Sequence, residues 1–136
     1  MKVLFVCVAN VGRSQMAEAF FNGMSKKNTA SSAGTKAERL AGRSVGDLSD
    51  KVTGCMAEAG YDVSKNRSKT LTPKMVEGAD IVVSMAEKET WPGYLKKSRK
   101  VRFWEVEDGK DMPYEFHCRM RDKIKGKVEE LVKEIG

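Results

Sequence analysis

Cys7 and the pair Arg13-Ser14 close the two ends of the stretch Cys7-Val8-Ala9-Asn10-Val11-Gly12-Arg13-Ser14, a spacing suited to chemistry on a tetrahedral oxyanion. A guanidinium can offer its planar fork to two oxygens of such an anion. A thiol beside that cation and near a helix N-terminus is favoured as thiolate, and a thiolate under a bound phosphate is an activated nucleophile. Backbone N–H groups of a tight loop and of the unsatisfied first turn of a helix converge on one point and favour negative charge there. Cys7 and Arg13 are therefore expected to be catalytic, with Val8, Ala9, Asn10, Val11, Gly12 and Ser14 around the bound substrate.

The flanking sequence supplies the elements such a loop needs. Val3 to Cys7 is a near-continuous apolar, β-branched run, the pattern of a strand buried on both faces of a parallel sheet. From Ser14 to about Lys26, Met16, Ala17, Phe20, Phe21 and Met24 fall at helical spacing. Strand, loop and helix start thus follow one another directly.

At these residues the chain resembles the low-molecular-weight protein tyrosine phosphatases and the thioredoxin-linked arsenate reductases that share their fold. The family pattern is a strand, then Cys, a loop containing Asn, and Arg-Ser opening a helix; Cys7, Asn10, Arg13 and Ser14 match it one for one. The resemblance implies that Cys7 is the nucleophile, Arg13 clamps the oxyanion, Asn10 braces the loop and Ser14 donates to the Cys7 thiolate. It also implies four parallel strands in the order 2-1-3-4, an α/β, three-layer, doubly wound, flavodoxin-like sheet with helices on both faces.

Further along, Ala30 to Thr35 reads as a second strand, and Lys36 to Arg43, by resemblance, as one wall of the site's mouth. Ser44 caps a helix that places Leu48, Val52, Cys55, Met56 and Ala59 on one face and stops at Gly60. Asp62 to Leu71 resembles a family loop ending in Arg-Ser and a basic residue, with Asn66 where His is common. Thr72-Pro73 opens a short helix to about Glu77, Ala79 to Met85 is a third strand, and Glu87 to Thr90 is a short helical segment before a turn at Trp91-Pro92-Gly93. Lys100 to Val106 is expected as the fourth strand. A last helix, Tyr114 to Ile135, aligns Phe116, Met120, Ile124, Val128, Leu131 and Ile135.

Expelling an alkoxide or phenoxide from phosphorus calls for a proton donor. In the family an Asp-Pro pair after a Trp-containing strand supplies it, and Trp104-Glu105-Val106-Glu107-Asp108 matches that lead-in, so Asp108 is the expected acid with Gly109 in place of the proline. Asp111, before Met112-Pro113, is the second candidate. Ser14-Gln15-Met16-Ala17-Glu18 resembles the arsenate-reductase branch, yet Ala86 with the segment to Trp91 offers neither of the two further cysteines of that branch's disulfide relay, and Gly12 removes the second loop thiol found in many members of both branches. A thiol unable to pass its oxidation to a neighbour suits substitution at phosphorus.

A chain of 136 residues is the length of one ordinary domain, expected to span 1–136. Three cysteines, odd in number and without C-x-x-C spacing, fit neither a disulfide framework nor a zinc site, so no metal and no cofactor is expected. The net charge of +6 biases encounters toward anions. The basic cluster Lys96 to Lys100 lacks an aromatic stacking platform, so nucleic acid is not an expected partner. No apolar run is long enough for a membrane span and the N-terminal residues lack a signal peptide's pattern, which leads to a cytoplasmic expectation. The leading reading is metal-independent hydrolysis of a phosphorylated protein or small phosphomonoester. The alternatives are an arsenate reductase using Cys7 with an external thiol reductant, and an inactive phosphate- or phosphoprotein-binding module.

Overall fold

A computed structural model describes all residues from 1 to 136. Its centre is a four-stranded sheet of β1 (Lys2–Cys7), β2 (Thr29–Gly34), β3 (Ile81–Ser84) and β4 (Val101–Phe103), in the order β2-β1-β3-β4. Every pairing is parallel, with Val3 opposite Ala30 on one side and Ile81 on the other. Parallel neighbours require crossovers, and helices supply them: α1 (Arg13–Met24), α2 (Val45–Leu48), α3 (Asp50–Glu58), α4 (Pro73–Gly78) and α5 (Gly93–Lys96), while α6 (Tyr114–Ile135) follows the last strand. The expected strand order and three-layer, flavodoxin-like arrangement are those observed.

The period-two alternation of β1 divides the core between the two faces of the sheet. Val3 and Phe5 join Met16, Phe20 and Phe21 of α1, Val52 and Met56 of α3, and Met120, Ile124 and Val128 of α6. Leu4 and Val6 point the other way, onto Leu71, Val76 of α4 and Leu95 of α5. Phe5, Phe20 and Phe21 are fully buried, each stabilising the fold by about 2–3 kcal/mol relative to exposure. A central strand anchored on both faces gives its C-terminal end a fixed position, and that end is Cys7.

Four local expectations are corrected. The helix read as continuous from Ser44 to Gly60 is two helices, because Ser49 is extended at φ −154°, ψ 106° and its side chain caps α3 by accepting from the Val52 amide, just as Ser44 caps α2. The fourth strand ends at Phe103, not Val106: β3 stops at Ser84, which accepts a last hydrogen bond from the Trp104 amide, and no partner strand continues beyond it. The turn at Trp91-Pro92-Gly93 does not lead straight to the fourth strand but opens a further short helix, α5. On α6 the first buried side chain is His117, not Phe116; the stripe runs His117, Met120, Ile124, Val128, Leu131.

Candidate active site

Cys7 ends β1, and from there the chain must turn into α1 within five residues. Asn10 makes the turn possible. Its backbone is left-handed at φ 56°, a conformation that a short amide side chain tolerates. Its buried side chain then ties the loop together: Oδ1 accepts from the Lys69 amide at 2.8 Å and from Gln15 Nε2 at 3.2 Å, while Nδ2 donates to Ser14 Oγ at 2.7 Å. Ser68 Oγ donates to the Ala9 carbonyl at 2.8 Å. On the β2 side, the amides of Thr35 and Lys36 donate to the carbonyls of Cys7 and Val8 at 2.9 Å each.

With its carbonyls engaged outward, the loop leaves its amides free. None of the N–H groups from Val8 to Gln15 takes part in the turn, loop or side-chain hydrogen bonds, and the first helical bond runs from Met16 N to Gly12 O at 2.9 Å. α1 has no side-chain cap, whereas α2, α3 and α4 are each capped by Ser or Thr. An N-terminus left open in this way, preceded by a row of unpaired amides, is an anion cradle.

Ser14 connects the cradle to the sulfur. Its Oγ lies 2.9 Å from Cys7 Sγ and accepts a hydrogen from Asn10 Nδ2, so its own proton is left to point at the sulfur. That places a hydroxyl donor directly against the sulfur. Cys7 is only 2% exposed, yet it lines a cavity of about 570 Å³ together with Ala9, Val11, Gly12, Arg13 and Asp108.

Arg13 is held from behind. Nη1 donates to the carbonyls of Met85 at 2.6 Å and Val106 at 2.9 Å, and the end of the guanidinium faces Glu87, with Nη2 to Oε1 at 3.0 Å and Nη1 to Oε2 at 3.3 Å. No protein acceptor takes Nε–H or the second Nη2 proton. These are the parallel donors of the guanidinium's side edge, so a fork for two oxygens stays available. Burial works against the guanidinium's charge, but the Cys7 sulfur, Glu87 and Asp108 outweigh it and raise its pKa. Burial likewise pushes the Glu87 carboxyl up, and the hydrogen bonds and charge of Arg13 prevail, holding it below its usual value.

Asp108 and Asp111 both line the cavity. Asp108 Oδ1 accepts from the Lys110 amide at 3.1 Å, which leaves Oδ2, 3.9 Å from Arg13 Nη2, on the side of the cation. Asp111 occupies the left-handed region at φ 64° in the turn closed by Met112 N to Gly109 O. Of the residues singled out in the sequence, Cys7, Ala9, Val11, Gly12, Arg13 and both candidate acids line one cavity, whereas Val8 does not line it and Asn10 and Ser14 are fully buried behind it. Leu40 lines the mouth as well, in the segment expected to form its wall. Cys55 and Cys118 do not line it; burial pushes the Cys55 thiol up to about 11.

A family model described as low molecular weight phosphotyrosine protein phosphatase matches residues 2–136. The chain belongs to this family. Among solved structures, the low molecular weight protein tyrosine phosphatase of T. tengcongensis superposes with a TM-score of 0.87 at 31% identity, covering 99% of both chains. A low molecular weight protein-tyrosine-phosphatase of Acinetobacter johnsonii is 28% identical over 82% of this chain and 77% of its own length. The glutaredoxin arsenate reductase of a Synechocystis strain is 27% identical over 99% of this chain and 98% of its own. This member of the low molecular weight phosphatase family is thus a cysteine-based hydrolase of the phosphatase and arsenate reductase superfamily.

Several residues around the site were missed in the sequence. Glu87 and the carbonyls of Met85 and Val106 orient Arg13 from more than 70 positions away, and no local pattern announces them. Gln15 is buried under the loop, donating to the Arg67 carbonyl and accepting from Asn66 Nδ2, so the residue standing where the family often has His is tied to the loop. Lys51 reaches across the mouth to the Met112 carbonyl at 2.7 Å. Neither of these contacts is written in spacing alone.

Proposed function

We propose that this protein hydrolyses phosphomonoesters, phosphotyrosine in proteins being the implied substrate, through a phosphocysteine intermediate. Cys7 Sγ attacks phosphorus in line with the ester oxygen; the S–P bond forms as the P–O bond breaks, and Asp108 gives its proton to the departing oxygen. The loop amides and the side edge of Arg13 hold the equatorial oxygens as charge spreads over them. In the second half, Asp108 takes a proton from water, the water oxygen attacks phosphorus, and the S–P bond breaks to release phosphate and thiolate. The positive field comes from the protein's own amides and guanidinium, so the scheme needs no metal.

The observation that carries this reading is the relay Asn10 Nδ2 to Ser14 Oγ to Cys7 Sγ beneath eight free amides and an open guanidinium edge. The test is turnover of p-nitrophenyl phosphate with a chelator present. The reading requires that activity to vanish in Cys7→Ser, and activity retained in that variant would overturn it. We place the activity in the cytoplasm, since three free cysteines suit a reducing compartment.

A second reading, arsenate reduction, is favoured by Gln15, whose buried side chain supports the loop within a segment similar to that branch. Without a second thiol at the cavity, it requires an external thiol to resolve an oxidised Cys7. Arsenate consumption dependent on glutathione or a dithiol protein, at rates rivalling ester hydrolysis, would establish it in place of the first.

A further inference from the structure

Gly109 follows the proposed acid and lies against the start of α6. A Cβ placed on it would stand 2.8 Å from His117 Nε2, 3.1 Å from Cδ2 and 3.3 Å from Cε1. The imidazole therefore fills the room that any larger residue at position 109 would need. The ring itself is fixed. His117 is 5% exposed, and its Nδ1 lies 3.0 Å from the Pro113 carbonyl, which can only accept, so Nδ1 carries a hydrogen. Nε2 has no protein partner. Because no buried side-chain nitrogen or oxygen lacks one, Nε2 reaches the cavity that His117 and Gly109 both line.

The rest of the acid loop is tethered along its length: the Asp108 carboxylate accepts from the Lys110 amide, the Met112 amide donates to the Gly109 carbonyl, and Lys51 Nζ holds the Met112 carbonyl. None of these bonds sets how closely Asp108 approaches α6. The ring under Gly109 does, one residue from the carboxylate.

We propose that His117 is the positioning residue for the leaving-group acid, its imidazole being the surface on which the Asp108-Gly109 peptide rests and the reason residue 109 is glycine. This rests on the phosphomonoesterase reading, in which Asp108 protonates the departing oxygen. A misplaced acid harms a poor leaving group more than a good one, so the signature is the ratio of kcat/KM for p-nitrophenyl phosphate to that for phenyl phosphate.

The experiment compares the wild type with Gly109→Ala, His117→Ala and the double variant, by that ratio and by thermal melts. Gly109→Ala and His117→Ala each raise the ratio by about tenfold, since misplacement by a fraction of an ångström removes much of a general acid's contribution. The double variant matches His117→Ala in ratio and in Tm, because the clash at position 109 no longer exists. Gly109→Ala carries the test by itself if His117→Ala fails to fold: a wild-type ratio and Tm in Gly109→Ala overturn the proposal. Equal losses from Gly109→Ala in both backgrounds overturn it as well. Cys7-dependent turnover with an unchanged ratio in His117→Ala removes this proposal alone, whereas absence of any Cys7-dependent turnover in the wild type removes the phosphatase reading and the proposal with it.

Discussion

Asn10→Ala is the substitution whose consequences the loop geometry defines most sharply. It removes the Nδ2 bond to Ser14 Oγ and the Oδ1 acceptor of the Lys69 amide, and it puts a Cβ without hydrogen-bonding capacity at φ 56°. The lost bond is worth about 1 kcal/mol and the orphaned, part-buried amide about 1–2 kcal/mol. The left-handed backbone adds about 1 kcal/mol for alanine. The sum, about 3–4 kcal/mol, is a large share of an ordinary domain's stability and corresponds to a fall in Tm of about 10–15 °C. Asn10→Gly, free of the backbone cost, recovers about 1 kcal/mol of that loss. Asn10→Asp separates stability from chemistry: it keeps an acceptor for Lys69, but a carboxylate draws the Ser14 hydroxyl proton away from sulfur, so kcat/KM falls further than Tm does. Melts followed by circular dichroism, paired with p-nitrophenyl phosphate kinetics, measure both. An Asn10→Ala protein melting within about 3 °C of the wild type would refute the reasoning, as would an Asn10→Asp protein of undiminished kcat/KM.

Other outcomes follow from the same geometry. Asp108→Asn lowers kcat/KM by about 100-fold or more, with a larger loss for phenyl than for p-nitrophenyl phosphate, and Asp111→Asn leaves both within a few-fold; steady-state kinetics on the two esters separates them. Glu87→Gln weakens the support of Arg13. Because the Glu87 pKa is depressed in the fold, its stabilisation is present above its unfolded value near 4.5 and is lost as pH falls through the lower folded value. With that side chain 42% exposed and its charge screened, the gap at pH 7 is about 0.5–1 kcal/mol, and melts across pH 3 to 7 show it closing at the acid end. Gly34→Ala would bring a Cβ to 2.5 Å from the Val8 carbonyl and 3.0 Å from the Asn10 amide. It therefore shifts the cradle itself, and inorganic phosphate inhibits the variant more weakly than the wild type.

The sequence made the cradle readable because its parts are adjacent: a β-branched strand, a short loop with Asn10, and a helix opening on Arg13-Ser14. The strand order rested on resemblance, and the alternation of apolar stretches with helical periods supported it. What could not be read lies in contacts between distant segments. Glu87 looks like any surface acid until β3 and β4 bring Met85 and Val106 to the same guanidinium. Ser49 was hidden inside an apolar periodicity that continues through both α2 and α3, although Ser-Asp at positions 49 and 50 is itself a cap signal. His117 was overlooked because Phe116 fits the stripe of α6 at four-residue steps; stepping three back from Met120 finds the histidine, and Gly109 in the place of a family proline is its counterpart.

The central claim is that Cys7 forms a covalent bond to phosphorus. Mass spectrometry of protein quenched in denaturant during turnover of p-nitrophenyl phosphate tests it most directly. The account predicts one phosphoryl group on the peptide carrying Cys7, lost on prolonged turnover and absent when Cys7 is replaced by alanine. A phosphoryl group on another residue, or steady hydrolysis with no label on Cys7 at any quench time, would contradict it.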